Sequence, residues 1–307
     1  MGMRINPEEL NKPSIKIRND LNKIRKDLLN KYPLEHYVNK LYARPETATY
    51  RFIPPDIQIF CDNVSRHGGR QALQLYHKLV ALDLIRRNQA KLGELNLPRS
   101  IKDLYMKAFE IITGEIDLNP DEFYEYSNDK FRKDLNLCAL KLIPIGPAVI
   151  ELSAVPKGFL FKKGVGQFVK GLFFIAFQVG GFKQLYQGHL YLRGLADYNS
   201  DEWDRAYRRL ADLLKIEAPV KGYFGYGWYF DPQIETISPR LAYKRRRIED
   251  NGGRIFYIGS TPEDIEDATL KSPTRSRLYE EGKYIPTRYM FVWPRRQLID
   301  WAHKISF

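Results

Sequence analysis

Residues 147–181, PAVIELSAVPKGFLFKKGVGQFVKGLFFIAFQVGG, constrain this chain most. Residues 148–155 are apolar and partly β-branched, with Glu151 their one charge. They suit a buried strand of about 5–6 residues. Pro156 lacks the N–H that a sheet ladder needs, so the strand ends there. Lys162-Lys163-Gly164-Val165-Gly166 follows. Two glycines one residue apart let the backbone turn its N–H groups toward an anion at close range. Residues 167–178 then read as a buried helix. The glycines would sit at its positive end, with two lysines beside them. Strand, basic glycine turn and helix, in that order, build a phosphate cradle. The competing reading is a surface turn before a core helix.

The rest of the chain sets this stretch in an α/β (α+β) fold, a mixed central sheet flanked by helices. Residues 1–11 read as a loose arm. Ile17, Leu21, Ile24 and Leu28 recur at helical spacing. Residues 50–55 read as a loop and Arg66 to Arg70 as a cationic turn opening a helix over 71–87. Helix starts recur at Ser100 and at Asn119-Pro120. The chain therefore divides into a mainly helical N-terminal region, 1–135, and an α/β domain with basic C-terminal helices, 136–307. In the second part, 137–145 and 148–155 read as a hairpin. Strands follow over 182–192, 220–230, 254–258 and 289–293, with helices at 201–215, after Ser238-Pro239, after Ser260, after Ser272 and at 297–304.

Several residues stand out as chemistry. His189, near the end of the strand after the glycine turn, has a ring that titrates near working pH and suits a general base. Glu151 is a carboxylate in an apolar strand and must be partnered or protonated. The aromatic run Tyr226-Gly227-Trp228-Tyr229-Phe230-Asp231 suits a pocket wall, with Asp231 at its end. Ser272, Thr274 and Arg275 lie at a helix start and offer hydroxyls, free N–H groups and a guanidinium fork to a phosphate. Arg193, Trp228, Tyr229, Ser272, Thr274 and Arg275 are placed on the substrate side. Lys244-Arg245-Arg246-Arg247 reads as a solvated basic face. Each of these has a structural reading beside the functional one: a packed histidine, a buried ion pair, a core strand, a helix cap.

The 307 residues carry 49 Lys+Arg against 37 Asp+Glu, a net charge of +12. Such a balance favours acidic partners: nucleic acid, an anionic membrane, coenzyme A or an acidic carrier protein. The two cysteines, Cys61 and Cys138, form no disulfide framework and no zinc spacing, and no metal signature, Walker loop or nucleophile elbow occurs. The N-terminus lacks the apolar run of a signal peptide, and the most apolar window is too short to span a bilayer. A cytoplasmic protein without a membrane span is the expectation.

Gly164, Gly166 and their flanking elements resemble the acetyl-coenzyme A loop of the GNAT superfamily of N-acyltransferases. That family carries Gln/Arg-x-x-Gly-x-Gly/Ala between its fourth strand and third helix. Gly164 and Gly166 match the two small positions. Phe161 stands at the Gln/Arg position, a departure, with Lys162 and Lys163 placed to supply the charge. The resemblance covers residues 137–258, in order of elements more than in identity. It implies that Leu152 to Val155 offer backbone groups to a pantetheine arm. Lys162, Lys163, Gly164 and Gly166 would take the phosphates, and Glu151 or His189 would act as base, with Asp231 the third catalytic candidate. Acyl-coenzyme A or acyl-pantetheine would be a co-substrate, with no tightly bound cofactor. Branches of this superfamily that make N-acyl amino acids or acyl-homoserine lactones draw on an acyl carrier protein, which the positive charge would suit. The function expected is transfer of an acyl group from a thioester to a small amine acceptor. A non-catalytic basic protein that binds nucleic acid or a protein partner is the alternative.

Overall fold

The computed structural model describes residues 5–43, 45, 48–191, 193 and 198–305. It is an α+β protein with a mixed six-stranded sheet whose strands lie in the spatial order Ile143–Pro144, Ala148–Ala154, Gln184–Leu190, Gly222–Gly227, Arg288–Pro294 and Arg254–Gly259. The chain divides into two compact units, Met1–Glu151 with Tyr191–Asp197, and Leu152–Leu190 with Tyr198–Phe307.

Helices make up most of the first unit: α1 (Pro7–Ile24), α2 (Leu28–Lys31), α3 (Leu34–Tyr42), α4 (Pro55–Glu94), α5 (Arg99–Glu115) and α6 (Asp129–Cys138). The arm expected over 1–11 is helical from Pro7. Asn6 caps α1 by accepting the Glu8 N–H, proline takes the first turn, and Glu8 and Glu9 face the positive helix end. The cationic turn at 66–70 is a break inside α4, where Gly69 has φ +82°. The strand expected over 137–145 begins instead as the end of α6. Asn128 caps α6 through the N–H groups of Lys130 and Phe131, and Leu137 and Cys138 are buried as its last turn. Only Ile143–Pro144 (β1) pairs as a strand, antiparallel to Ala148–Ala154 (β2).

The second unit holds the end of β2, then α7 (Gly164–Phe173), β3 (Gln184–Leu190), α8 (Ser200–Ile216), β4 (Gly222–Gly227), α9 (Ile234–Ile237), α10 (Ala242–Glu249), β5 (Arg254–Gly259), α11 (Pro262–Thr269), α12 (Pro273–Glu280), β6 (Arg288–Pro294) and α13 (Arg295–Lys304). Strands β3 and β4 run parallel, with Tyr186 opposite Tyr223 and Gly188 opposite Gly225. Strand β6 lies antiparallel between β4 and β5. Alternate residues Leu185, Phe224, Phe256, Met290 and Val292 line one sheet face, packed against Val155, Phe159, Leu160, Phe174, Ile175 and Val179. The opposite face carries Tyr223, Phe291 and Trp293, and Tyr207 of α8 and Trp301 of α13 stack on Trp293. The period-2 alternation thus feeds two hydrophobic layers, one on each side of the sheet.

Candidate functional site

The glycine turn leaves backbone groups without a side-chain cap. A short 3-10 segment, Lys157–Phe161, follows β2, and α7 then begins at Gly164 with φ +69°. That left-handed conformation is one that a side chain resists. Lys163 is the N-cap residue and gives no side-chain hydrogen bond to the first turn. The leading N–H groups of α7 therefore have no partner within the helix. A Cβ added at Gly164 or at Gly166 would meet no atom within 4 Å, so the space over both is open. Lys162 and Lys163 are exposed, and the Lys163 ammonium lies 5.6 Å from the Tyr257 ring centroid. Uncapped N–H groups, a helix dipole and two lysines are the chemistry of an anion site.

Gln167 holds this turn in place, a role the sequence reading missed. Its amide nitrogen donates to the Phe159 carbonyl at 2.6 Å and to the Tyr257 carbonyl at 2.9 Å, and its oxygen accepts the Tyr257 N–H at 3.0 Å. The side chain thereby pairs with the edge strand β5 and ties the first turn of α7 to the sheet. Its position one residue after Gly166 was visible; its partner 90 residues away was not.

Asp231 follows β4 and a 3-10 turn, and it is 1% exposed. One carboxylate oxygen accepts the Gln233 N–H at 3.0 Å. No hydrogen bond of normal geometry from the described residues reaches the other, Oδ2, which is enclosed. Burial raises the Asp231 pKa above the ordinary carboxylate range, against the pull of the Gln233 and Thr287 N–H groups and of the Arg245 and Lys163 charges.

His189 is half-buried on β3, on the strand face shared with Leu185 and Gln187, at the carboxyl end of the parallel pair. The glycine beside it answers to packing: a Cβ on Gly188 would stand 2.7 Å from two carbons of the Tyr223 ring. The close approach expected there is made by Tyr223.

Among the other candidates, Val155 is buried in the core, and Leu152 is half-buried at the end of β2. Trp228 and Tyr229 are half-buried and stack edge to face with centroids 5.6 Å apart. Trp228 lies under the Arg275 guanidinium at 4.4 Å. Arg275 itself is buried, donating to the Ala268 carbonyl at 2.5 Å and to the Ser238 hydroxyl at 3.0 Å. Ser272 caps α12 through the Arg275 N–H, and Thr274 is exposed. The arginine fork is thus engaged within the fold. In the first unit, Glu151 is buried and accepts the Tyr50 N–H at 2.7 Å. Arg193 pairs with Glu115 at 2.7 Å and with Asp134 at 3.1 Å.

The run Lys244 to Arg247 is not a solvated face. Lys244 is buried, its ammonium 3.5 Å from the Trp203 ring centroid, 4.3 Å from that of Tyr229 and 4.4 Å from that of Tyr198. Burial drives its pKa well below the usual lysine value. Arg245 pairs with Glu249, Arg246 with Glu235 and Arg247 with Asp204. Residues distant in sequence supply every ring of the lysine box, which is why a charge run read alone gives no sign of it. Among the described residues no group of three His, Cys, Asp or Glu is placed to hold a metal ion, and no helix is long and apolar enough to cross a membrane.

No family model matches this sequence, and no curated protein matches it. Solved structures do. An acyltransferase mutant in complex with octanoyl-CoA superposes with a TM-score of 0.50 at 14% identity, covering 89% of this chain and 80% of that one. An acyltransferase in complex with CoA and 10C-teicoplanin superposes with a TM-score of 0.48 at 14% identity, over the same shares. The first likeness shows that this chain shares the fold of an acyltransferase.

Proposed function

We propose that this protein is an acyltransferase whose donor is a coenzyme A thioester and whose acceptor is a small amine. The observation that carries the proposal is the uncapped start of α7, with open space over Gly164 and Gly166 and with Lys162 and Lys163 beside it. The donor's phosphates would take the N–H groups of that turn, and the two lysines would balance their charge. Of the base candidates, Asp231 is favoured. Its Oδ2 is enclosed and receives no hydrogen bond of normal geometry from a described residue, and the Thr287 N–H and the Lys163 charge act on the carboxylate. The ionised carboxylate would accept a proton from the attacking amine. The amine nitrogen would add to the thioester carbonyl carbon, the carbon–sulfur bond would break, and the departing sulfur would take up that proton to leave as the coenzyme A thiol.

The test is calorimetric titration of coenzyme A and octanoyl-coenzyme A, followed by thiol release from the acyl donor with a panel of amines. Binding that Lys162→Glu/Lys163→Glu abolishes supports the cradle. Turnover that Asp231→Asn abolishes while donor binding persists supports the base. The raised pKa sets the sign: turnover falls as pH drops through a value above the ordinary carboxylate range. An acyl carrier protein donor and a short oligonucleotide are run in parallel. Binding of the oligonucleotide alone would sink the acyltransferase reading.

A further inference from the structure

The helix after the glycine turn is apolar on the side that faces water. Residues 167–178 read from sequence as a buried helix. The structure buries only one side of it, Gly171, Phe174, Ile175 and Val179. The other side is bare: Val165 is 78% exposed, Val169 47%, Leu172 40%, Phe173 62% and Phe177 73%, and Phe161 just before the turn is 70% exposed. The spacing from Val165 through Val169, Leu172 and Phe173 to Phe177 makes one continuous stripe. The helix changes to π geometry over Phe174–Val179, and the Phe173 and Phe177 rings remain in contact with centroids 5.1 Å apart. Isolated exposed apolar residues are ordinary, but a contiguous stripe of this kind marks an interaction surface.

The charges around the stripe identify its partner. Residues 152–190 contain the lysines Lys157, Lys162, Lys163, Lys170 and Lys183 and no aspartate or glutamate. No ion pair to a described acidic residue involves any of the five, whereas each arginine of α10 has a carboxylate. Lysine stems lie along apolar surface while their ammonium groups reach outward for anions. A second copy of this chain seated on the same face would bring lysine against lysine across a two-fold axis, with no acidic residue in the segment to answer. A partner that is apolar in depth and anionic at its surface satisfies both features.

We infer that the exposed face of α7 and its π-helical extension, from Phe161 to Phe177, docks this protein on an anionic lipid surface. The phenylalanines would enter the headgroup–acyl boundary, and Lys157, Lys170 and Lys183 would pair with lipid phosphates. The helix lies in the interface plane and does not span it. The inference is independent of the acyl donor, since it uses the outward side chains of α7 and not the N–H groups at its start.

The test is co-sedimentation of the full chain with sucrose-loaded vesicles of phosphatidylcholine, alone or mixed with phosphatidylglycerol, at physiological salt. Binding is expected to the mixed vesicles. Phe173→Glu/Phe177→Glu is expected to weaken it about tenfold or more. Leu118→Glu, at an equally exposed position in the first unit, should leave it unchanged. Both native thiols, Cys61 and Cys138, are buried, so a Phe177→Cys variant takes an environment-sensitive dye at one place. That dye should shift to the blue on vesicles. Three results would overturn the inference. One is equal vesicle binding by Phe173→Glu/Phe177→Glu and wild type, which would assign attachment to bulk charge. Another is no binding to either vesicle. The third is a wild-type dimer in light scattering that the same double variant turns into a monomer, which would assign the face to a second copy.

Discussion

Replacing Gly166 by alanine separates the fold from the proposed cradle. Gly166 lies in the first turn of α7 and shows no left-handed φ, and a Cβ there would meet no neighbour within 4 Å. Alanine restricts the unfolded chain and suits a helix better, so Gly166→Ala should stabilise by about 0.5–1 kcal/mol. The expected rise in Tm is about 2–4 °C per kcal/mol for a body of this size. The added methyl would occupy the open space proposed for the donor's phosphates. Loss of one hydrogen bond to a charged group is worth about 1.5–3 kcal/mol, or a weakening of roughly ten- to a hundredfold in Kd. Gly164→Ala supplies the contrast. Its φ of +69° makes alanine cost about 1–2 kcal/mol with no clash to relieve. The assay is thermal unfolding without ligand, then calorimetric titration of coenzyme A at 15 °C, chosen to keep every variant folded. A Gly166→Ala protein that is more stable and binds coenzyme A as tightly as wild type would refute the cradle. A Gly166→Ala protein that is less stable would refute the geometry of the turn itself.

Three further outcomes follow from packing and burial. Burial pushes the His77 pKa down to about 4, against a carbonyl contact from Tyr124 that raises it. A depressed histidine contributes stability above its unfolded value near 6.5 and loses it as pH falls toward 4, so His77→Gln should flatten the pH dependence of the unfolding free energy, read by urea titration between pH 6.5 and 4.5, by at most about 3 kcal/mol. Gly188→Ala drives a methyl into the Tyr223 ring and should cost about 1–3 kcal/mol, read as a lower Tm; no change would mean that Tyr223 moves aside freely. Gln167→Ala removes three hydrogen bonds, two of them to Tyr257 at the β5 edge, and should cost about 1–3 kcal/mol, with faster amide exchange at Tyr257.

The sequence was most readable where local chemistry decides conformation. The strand ending before Pro156 and the alternation of β4 and β6 follow from propensity, proline and period, whereas the helix expected from Gln167 opens three residues earlier, at Gly164. Asn6-Pro7-Glu8-Glu9 was equally readable as a helix start, and treating the first residues as an arm overlooked it. The run at 137–145 was not readable, because a short apolar run has no period that separates a buried helix end from a strand. The candidate site divides in the same way. The glycine turn announces itself, whereas the Oδ2 environment of Asp231, the anchoring of Gln167 and the ring box around Lys244 depend on residues far along the chain.

Apolar periodicity says that a surface avoids water and does not say what covers it, and α7 is where that difference matters. Its stripe looks like core in the sequence, and half of it is core. What distinguishes the other half is the company it keeps. Several cations elsewhere in the second unit are spent on the fold: Arg288 on Asp264, Arg247 on Asp204, Arg275 on two neighbouring oxygens, Lys244 on three rings. Between residues 157 and 183 five lysines have no described carboxylate, the leading N–H groups of α7 have no cap, and five large side chains of the helix face water. Packing alone gives no reason for leaving all three kinds of group unsatisfied in one segment. The two ligands proposed for it, a phosphate-bearing thioester and an anionic lipid surface, are the chemistries that would satisfy them, and they are separable. Gly166→Ala should weaken the first and spare the second, and Phe173→Glu/Phe177→Glu should do the reverse. If either variant abolished both, the segment would be acting as a single site, and one of the two assignments would be wrong.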